Sequence, residues 1–375
     1  MAGIYLHIPF CKTRCTYCDF FSSTHWAGKD IYTDALCREL TERKAYLRGE
    51  PVRTVYLGGG TPSQLTELQL CRLFDTLAQV YDLSQAEEIT MEANPDDLTA
   101  DYLAMLHSLP VNRLSIGIQT FHDPTLQLLN RRHTAAEARE AVERSRQAGF
   151  AHISIDLMYG LPGETDAQWA ADLQQAVALG VEHISAYHLT YETGTTLYKM
   201  LRRQQISAVD EERSLHFFTM LTDALAAAGY EQYEISNFSL PGCHSRHNSA
   251  YWEGIPYLGC GAAAHSFDGV SRRWNIASVD SYTRSVRQGI PYDQTETLDL
   301  TTRYNETIIT RLRTRAGLSV DRLAADYGDR LQRYCLQQAE PYLQTNRLQL
   351  RNGILSLTRE GIFLSDAVMR DLLWV

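Results

Sequence analysis

The stretch Cys11-Lys12-Thr13-Arg14-Cys15-Thr16-Tyr17-Cys18 sets three cysteines in a C-x3-C-x2-C spacing. Three thiolates on one short loop suit three irons of a [4Fe–4S] cluster. Such clusters are normally held by four cysteines. No fourth lies nearby, so one iron is left open to a ligand that is not protein. Two other chemistries fit less well. Structural zinc takes four ligands, so Asp19 or His7 would have to complete the set. A disulfide framework needs an oxidising compartment, and 8 cysteines in 375 residues are too sparse for one.

Working outward, Gly3-Ile4-Tyr5-Leu6-His7-Ile8 reads as a strand leading into the cysteines. Further apolar runs of strand length follow at 54–57, 88–92, 113–118, 152–158 and 183–189. Longer segments with helical apolar periodicity separate them, at 32–47, 65–80, 99–109, 135–147 and 167–179. Strand then helix, repeated, implies a parallel sheet with right-handed crossovers. Six units fall short of a complete eight-fold barrel. The expected fold is therefore α/β, a partial (β/α)6 TIM-like barrel, with its chemistry at the C-terminal strand ends.

Those ends carry the polar and glycine-rich residues. Gly58-Gly59-Gly60-Thr61-Pro62 follows the second strand, Glu92-Ala93-Asn94-Pro95 closes the third and Gln119 the fourth. The fifth carries Asp156 and runs into Tyr159-Gly160-Leu161-Pro162-Gly163. Glycines remove side chains where backbone must approach a ligand. Their N–H groups suit a carboxylate and their C=O groups an amine, although such a run alone is equally a tight turn. Glu92 or Asp156 can hold ribose hydroxyls or a cationic amine. Asp156 lies in the apolar run 153–158, and a buried aspartate needs a partner. Arg131 can pair with a carboxylate, or be a solvated charge beside Arg132.

Beyond about residue 285 the pattern changes. Segments 301–313, 320–327 and 330–342 read as helices, 347–351 and 354–358 as a hairpin about Asn352-Gly353, and 360–373 as a last helix. The expected division is 1–285, holding the barrel, and 286–375, a smaller helix-rich domain. Gly259-Cys260-Gly261 imitates the opening of a dinucleotide fingerprint, but no second βαβ unit with a distal acid follows. Cys37, Cys71, Cys260 and Cys335 are scattered as packing residues are. A denser constellation is Cys243-His244-Ser245-Arg246-His247-Asn248-Ser249-Ala250-Tyr251-Trp252. Histidine or cysteine can ligate heme iron, arginine can pair with propionates, and aromatics can pack on a macrocycle. The plainer reading is a surface loop with an aromatic anchor.

The net charge of −10 argues against a nucleic-acid partner, which usually needs a basic face. No run approaches the length of about 18 apolar residues that spans a bilayer. No basic-then-apolar leader opens the chain. The expectation is a soluble cytoplasmic protein, which suits an oxygen-sensitive cluster.

Together these motifs resemble the radical SAM superfamily, and within it the oxygen-independent coproporphyrinogen III oxidase-like family. The likeness runs almost end to end, through residues 5–11, 58–62, 92–95, 113–119, 154–162, 233–238 and 247–252. The last of these, an HNxxYW stretch, resembles the heme-chaperone branch. Two departures from the oxidase agree with that branch. Phe20 stands where the oxidase has a further cysteine, and the ten residues ahead of Cys11 do not supply its N-terminal arm.

The resemblance implies a radical SAM partial barrel with Cys11, Cys15 and Cys18 on the cluster. It implies S-adenosylmethionine contacts from Tyr5, Tyr17, Gly59, Gly60, Thr61, Glu92, Gln119, Arg131 and Asp156. Arg131 maps by its distance from Gln119, and Asn130 replaces the family's usual glycine. Heme is implied as a ligand with His247 as the candidate iron ligand, because the cysteine often found before Arg-His-Asn is Ser245 here. The implied function is a heme chaperone serving acceptor hemoproteins, chiefly membrane-bound respiratory ones. It would lie peripherally at the membrane and dimerise in some cluster states. The alternative is the oxidase itself, using a 5′-deoxyadenosyl radical to decarboxylate coproporphyrinogen propionates oxidatively. A radical enzyme acting on RNA is disfavoured by the acidic balance.

Overall fold

In the computed structural model, which describes residues 2–25 and 27–375, six strands lie side by side in chain order and parallel. They are β1 (Ala2–Ile8), β2 (Val52–Gly59), β3 (Glu88–Ala93), β4 (Arg113–Gln119), β5 (His152–Tyr159) and β6 (His183–His188). Successive side chains on a strand point to opposite faces. One set of alternate positions, including Ile4, Leu6, Val55, Leu57, Ile116 and Ile155, is buried in a single core. That core also holds the apolar stripes of the helices Lys29–Glu42, Glu67–Val80, Ala100–His107, Ala135–Gln147 and Asp166–Ala178. Thr66, Thr134 and Thr165 start three of these helices with reciprocal capping boxes, each satisfying two backbone donors that the first turn leaves unpaired.

The other set of positions is polar. Tyr56, Glu92, Ser115, Asp156, Ser154 and His183 face inward and bond to one another. Tyr56 Oη donates to Glu92 Oε1 at 2.8 Å, Ser115 Oγ donates to Asp156 Oδ1 at 3.4 Å, and Ser154 Oγ lies 2.7 Å from His183 Nδ1. The α/β partial barrel read from the strand–helix alternation is therefore present, with an apolar outer layer and a polar interior.

The hydrogen-bonded ladder extends past both ends of this unit without closing. At one edge β8 (Asn237–Ser239) pairs antiparallel with β6, and β7 (Glu231–Glu234) antiparallel with β8. At the other, β9 (Tyr257–Cys260) pairs parallel with β1, and β10 (His265–Phe267), β11 (Ser271–Asn275) and β12 (Asp293–Thr297) follow antiparallel. None of these six short strands is anticipated by the sequence pattern. They are three to five residues long, too short for a pattern to show, and some are wholly polar, as in Asp293-Gln294-Thr295-Glu296-Thr297.

A second core gathers Tyr304, Ile308, Leu312, Leu323, Leu331, Leu355 and Val368. Around it lie the helices Leu300–Leu312, Val320–Tyr327 and Asp329–Gln344 and a small sheet of β13 (Leu318–Ser319), β14 (Leu348–Arg351) and β15 (Ile354–Leu357). The hairpin turns at Asn352 and Gly353, both at positive φ (51° and 74°), as a two-residue type I′ turn requires. The expected last helix is two, Arg359–Phe363 and Ser365–Asp371.

One buried carboxylate ties the first helix to the added strands. Glu39 is fully buried. Its oxygens accept from Arg43 Nη1 (3.2 Å), Asn275 Nδ2 (2.8 Å), Gly261 N (2.8 Å) and Tyr282 Oη (2.6 Å). Removing it takes an acceptor from all four donors and leaves the buried Arg43 charge uncompensated, which in comparable sites costs about 3–5 kcal/mol. Urea unfolding of Glu39→Ala is expected to show a loss of that size. A loss under about 1 kcal/mol, the range of ordinary exposed ion pairs, would contradict this account of how β9–β12 are held.

Candidate cluster and cofactor site

The loop after β1 is pinned at its centre. Thr16 N donates to Leu129 O at 3.1 Å, and Thr16 O accepts from Leu197 N at 2.8 Å. This folds Cys11, Cys15 and Cys18 over the C-terminal strand ends, where all three line one cavity of about 550 Å³. Tyr17, Gly59, Gly60, Thr61, Glu92, Gln119, Arg131 and Asp156 line the same cavity.

The thiols meet donors suited to thiolate sulfur. Arg131 Nη1 lies 3.4 Å from Cys15 Sγ, and Thr61 Oγ1 lies 3.5 Å from Cys11 Sγ. Burial raises the Cys11 and Cys18 thiols, Cys18 to about 11, so a metal that takes thiolates must displace those protons. Three cysteines on one wall, with a guanidinium and a hydroxyl aimed at their sulfurs, fit a cluster with one open iron. His7 is removed as a fourth zinc ligand. Its Nδ1 bonds with Tyr5 Oη at 3.0 Å and its Nε2 with Phe21 O at 2.9 Å.

Arg131 is held in turn by Asn94 Oδ1 at 2.7 Å and by Gly117 O. A Cβ on Gly117 would stand 2.9 Å from Gln119 Nε2 and 3.2 Å from Arg131 Nη2, so glycine is what lets both side chains reach the cavity. Gln119 itself has φ +73°, a left-handed conformation costing about 1–3 kcal/mol in a non-glycine residue. Asn130 is also left-handed, at φ +57°. That accounts for an asparagine where the family prefers glycine, since asparagine tolerates this region. Its Nδ2 donates to Arg14 O in the cysteine loop at 2.9 Å.

Three acids on the cavity wall, Glu92, Asp96 and Asp156, are raised by burial, Asp96 with the Asp97 charge adding to the shift and the Arg132 charge opposing it. Burial pushes Glu92 up to about 7, with the Asp156 charge adding to the shift and the Tyr56 and Gly59 hydrogen bonds opposing it. Burial likewise pushes Asp156 up to about 6, opposed by Ser185, Ser115 and Arg131. Two carboxylates short of donors suit a ligand that brings hydroxyl or ammonium hydrogens.

At three of the expected positions the structure shows the groups already engaged within the protein. The amides of Gly59 and Gly60 are already engaged, by Glu92 Oε2 at 3.1 Å and Ile8 O at 2.9 Å. Gly59 has φ +108°, and a Cβ there would collide with the His7 ring. Gly59 and Gly60 are thus required by packing against His7, Ile8 and Pro9, and with their amides taken they can meet an amine through their carbonyls. Tyr5 is not among the residues lining the cavity. Its ring stacks on Tyr56 at 6.2 Å and its hydroxyl bonds His7, so it acts through those neighbours.

The third position is His247. It lies in the helix Arg246–Trp252, buried at the N-terminal ends of the strands, the end opposite the cysteine loop. Glu88, the first residue of β3, accepts from Ser245 Oγ, Arg246 N and His247 N at 3.2, 2.8 and 2.9 Å. The His247 ring stacks on Tyr56 at 5.1 Å, its Nδ1 bonds Thr54 Oγ1 at 2.8 Å, and its Nε2 bonds Tyr251 Oη at 2.9 Å. Burial pushes it down to about 3. With both nitrogens engaged inside the protein, His247 could ligate heme iron only by giving up one of these bonds. Trp252 carries the Arg313 guanidinium 4.4 Å above its ring. The HNxxYW segment therefore plugs the barrel and joins it to the C-terminal domain.

The cavity also brings in residues that the motifs did not single out, among them Ser115, Tyr187 and His133. Ser115 follows from the period-two inward stripe of β4. His133 carries no such signal, because it sits in a loop and bonds Ile118 O at 3.1 Å.

Comparison with known proteins agrees with this geometry. Residues 5–176 match the Radical SAM superfamily and residues 298–364 the HemN C-terminal domain. The heme chaperone HemW of Mycobacterium tuberculosis is 36% identical over 376 positions, covering 99% of this chain and 94% of that one. HemW of Bacillus subtilis is 35% identical, covering 98% of each. The solved coproporphyrinogen III oxidase (HemN) of Escherichia coli, a radical SAM enzyme, shares the fold at a TM-score of 0.85. It is 23% identical and covers 99% of this chain and 89% of that one. The chain belongs to the HemW family of radical SAM proteins.

Proposed function

We propose that this protein binds heme and passes it to acceptor hemoproteins, and that a [4Fe–4S] cluster with S-adenosylmethionine governs that transfer. The observation that carries the reading is the end-to-end likeness to proteins named heme chaperones, at 36% identity over 94% of the relative's length. Phe20 supports it: it is 68% exposed at the cavity mouth, where the oxidase family has a further cysteine.

In this reading Cys11, Cys15 and Cys18 hold the cluster, while Arg131 and Thr61 donate to its sulfurs. Glu92, Gln119 and Asp156 take the donors of S-adenosylmethionine, Tyr17 and the carbonyls of Gly59 and Gly60 border it, and Tyr5 braces Tyr56. When bound, the pair supplies one-electron chemistry that the side chains lack. Among the described residues no helix is long and apolar enough to cross a membrane. We place the protein in the cytoplasm, meeting membrane-bound respiratory acceptors at their soluble face, with dimerisation linked to the cluster. The direct test mixes the heme-loaded protein with an apo-hemoprotein and follows the acceptor's Soret band. Transfer faster than from a heme–albumin control is expected; transfer no faster than that control would refute the reading.

Cys15→Ala is expected to remove the cluster's visible charge-transfer absorption after anaerobic reconstitution, and an unchanged band would dismiss the cluster assignment. His247→Ala is expected to keep the wild-type heme stoichiometry while losing about 2–4 kcal/mol of stability, since two buried partners are left unbonded. Loss of heme with unchanged stability would restore His247 as a ligand.

Glu92 and Asp156 have raised folded-state values, so they cost stability as they ionise. That cost is absent in acid, grows as pH rises from the ordinary carboxylate range through about 6 and about 7, and is complete above. Ligand-free Glu92→Gln should therefore gain on wild type in thermal unfolding at about pH 8 relative to about pH 5. The opposite pH trend would contradict the placement of Glu92.

A further inference from the structure

Asp97 ends the turn Pro95–Asp97 after β3, and its side chain is 2% exposed. It is no part of the cavity wall, yet side chains from three loops converge on it. Lys12, between Cys11 and Cys15, brings Nζ to 2.7 Å from Oδ1. Arg132, next to Arg131, donates to the same oxygen at 3.2 Å. Ser63 Oγ donates to Oδ2 at 2.8 Å, and Gln64 Nε2 donates there too. Both follow Thr61 in the turn Pro62–Gln64.

Each of these loops delivers a group to the cluster sulfurs. The first carries the cysteines. The second carries Thr61, 3.5 Å from Cys11 Sγ, and the third carries Arg131, 3.4 Å from Cys15 Sγ. Charge-assisted hydrogen bonds are roughly twice as strong as neutral ones, and Asp97 is the buried partner of two cations that are themselves partly exposed, Lys12 and Arg132, so it is its charge that holds their side chains together at this point. We propose that Asp97 is a positioning residue for the cluster. It sets the spacing of the cysteine loop, Thr61 and Arg131, and through that spacing the affinity of the open iron for S-adenosylmethionine. The inference rests on the cluster assignment above.

An asparagine in place of Asp97 keeps the size and one acceptor oxygen. It cannot serve Lys12, Arg132, Ser63 and Gln64 together. Lys12→Gln cuts only the arm to the cysteine loop, at a lysine that is 40% exposed and so is expected to leave the fold intact. Asp97→Glu retains the charge.

The test uses the full-length protein, reconstituted anaerobically with iron and sulfide. Iron is counted and the electron paramagnetic resonance of the reduced cluster is titrated with S-adenosylmethionine. Iron content of the wild type tests the cluster assignment by itself. Asp97→Asn is expected to keep wild-type circular dichroism and iron while its half-saturating S-adenosylmethionine concentration rises about tenfold or more, as small misplacements in a reacting site do. Lys12→Gln should shift the same way by less, and Asp97→Glu should recover part of the loss. A wild-type titration for Asp97→Asn overturns the proposal. If Asp97→Asn does not fold, a wild-type titration for Lys12→Gln overturns it instead.

Discussion

A parallel strand packed on both faces has no water to satisfy its polar side chains, and here the inward face of six strands is polar. The whole molecule follows from how those groups find partners. At the N-terminal strand ends the protein supplies them. Glu88 caps the helix of the HNxxYW segment, Thr54 and Tyr251 take the two nitrogens of His247, and His183 is held by Ser154 and Tyr233. At the C-terminal ends the supply runs short. Glu92 and Asp156 share few donors and are pushed toward their neutral forms. The site is the part of the polar column that the chain itself leaves for a ligand.

The same constraint explains why local conformations are unfavourable there. Gln119 takes a left-handed φ, Gly117 has no room for a side chain, and Gly59 is crowded by His7. Each brings a functional group to the cavity at a cost in backbone freedom, recovered in the apolar outer layer of Ile, Leu and Val. Such a division between a dry outer core and a strained, polar strand-end rim is what catalytic and cofactor-binding barrels use to combine rigidity with reactivity. Here the rim is further tied together from beneath by the buried Asp97 carboxylate.

The sequence was legible wherever one residue's role depended on its own position. β1–β6 announce themselves through outward Ile, Leu and Val, and the cluster cysteines and strand-end acids through spacing. It was opaque wherever the role belongs to a partner far along the chain. β12 is a strand only because β11 lies beside it, and Asp97 matters only because Lys12, Ser63 and Arg132 reach it. His247 shows the hazard of reading residue type without place. Histidine among aromatics fits a heme ligand and a buried plug equally well, and only the fold says which end of the barrel it occupies.

Family membership leaves one decisive alternative, because the oxidase shares the fold, and a shared fold does not settle function. The measurement that separates them is anaerobic turnover. The protein, with its cluster reconstituted, is given S-adenosylmethionine, a reductant, an electron acceptor and coproporphyrinogen III, beside an authentic oxidase under identical conditions. The chaperone account predicts neither protoporphyrinogen nor carbon dioxide from a protein whose cluster is intact and reducible. Product formed at a catalytic rate would contradict it.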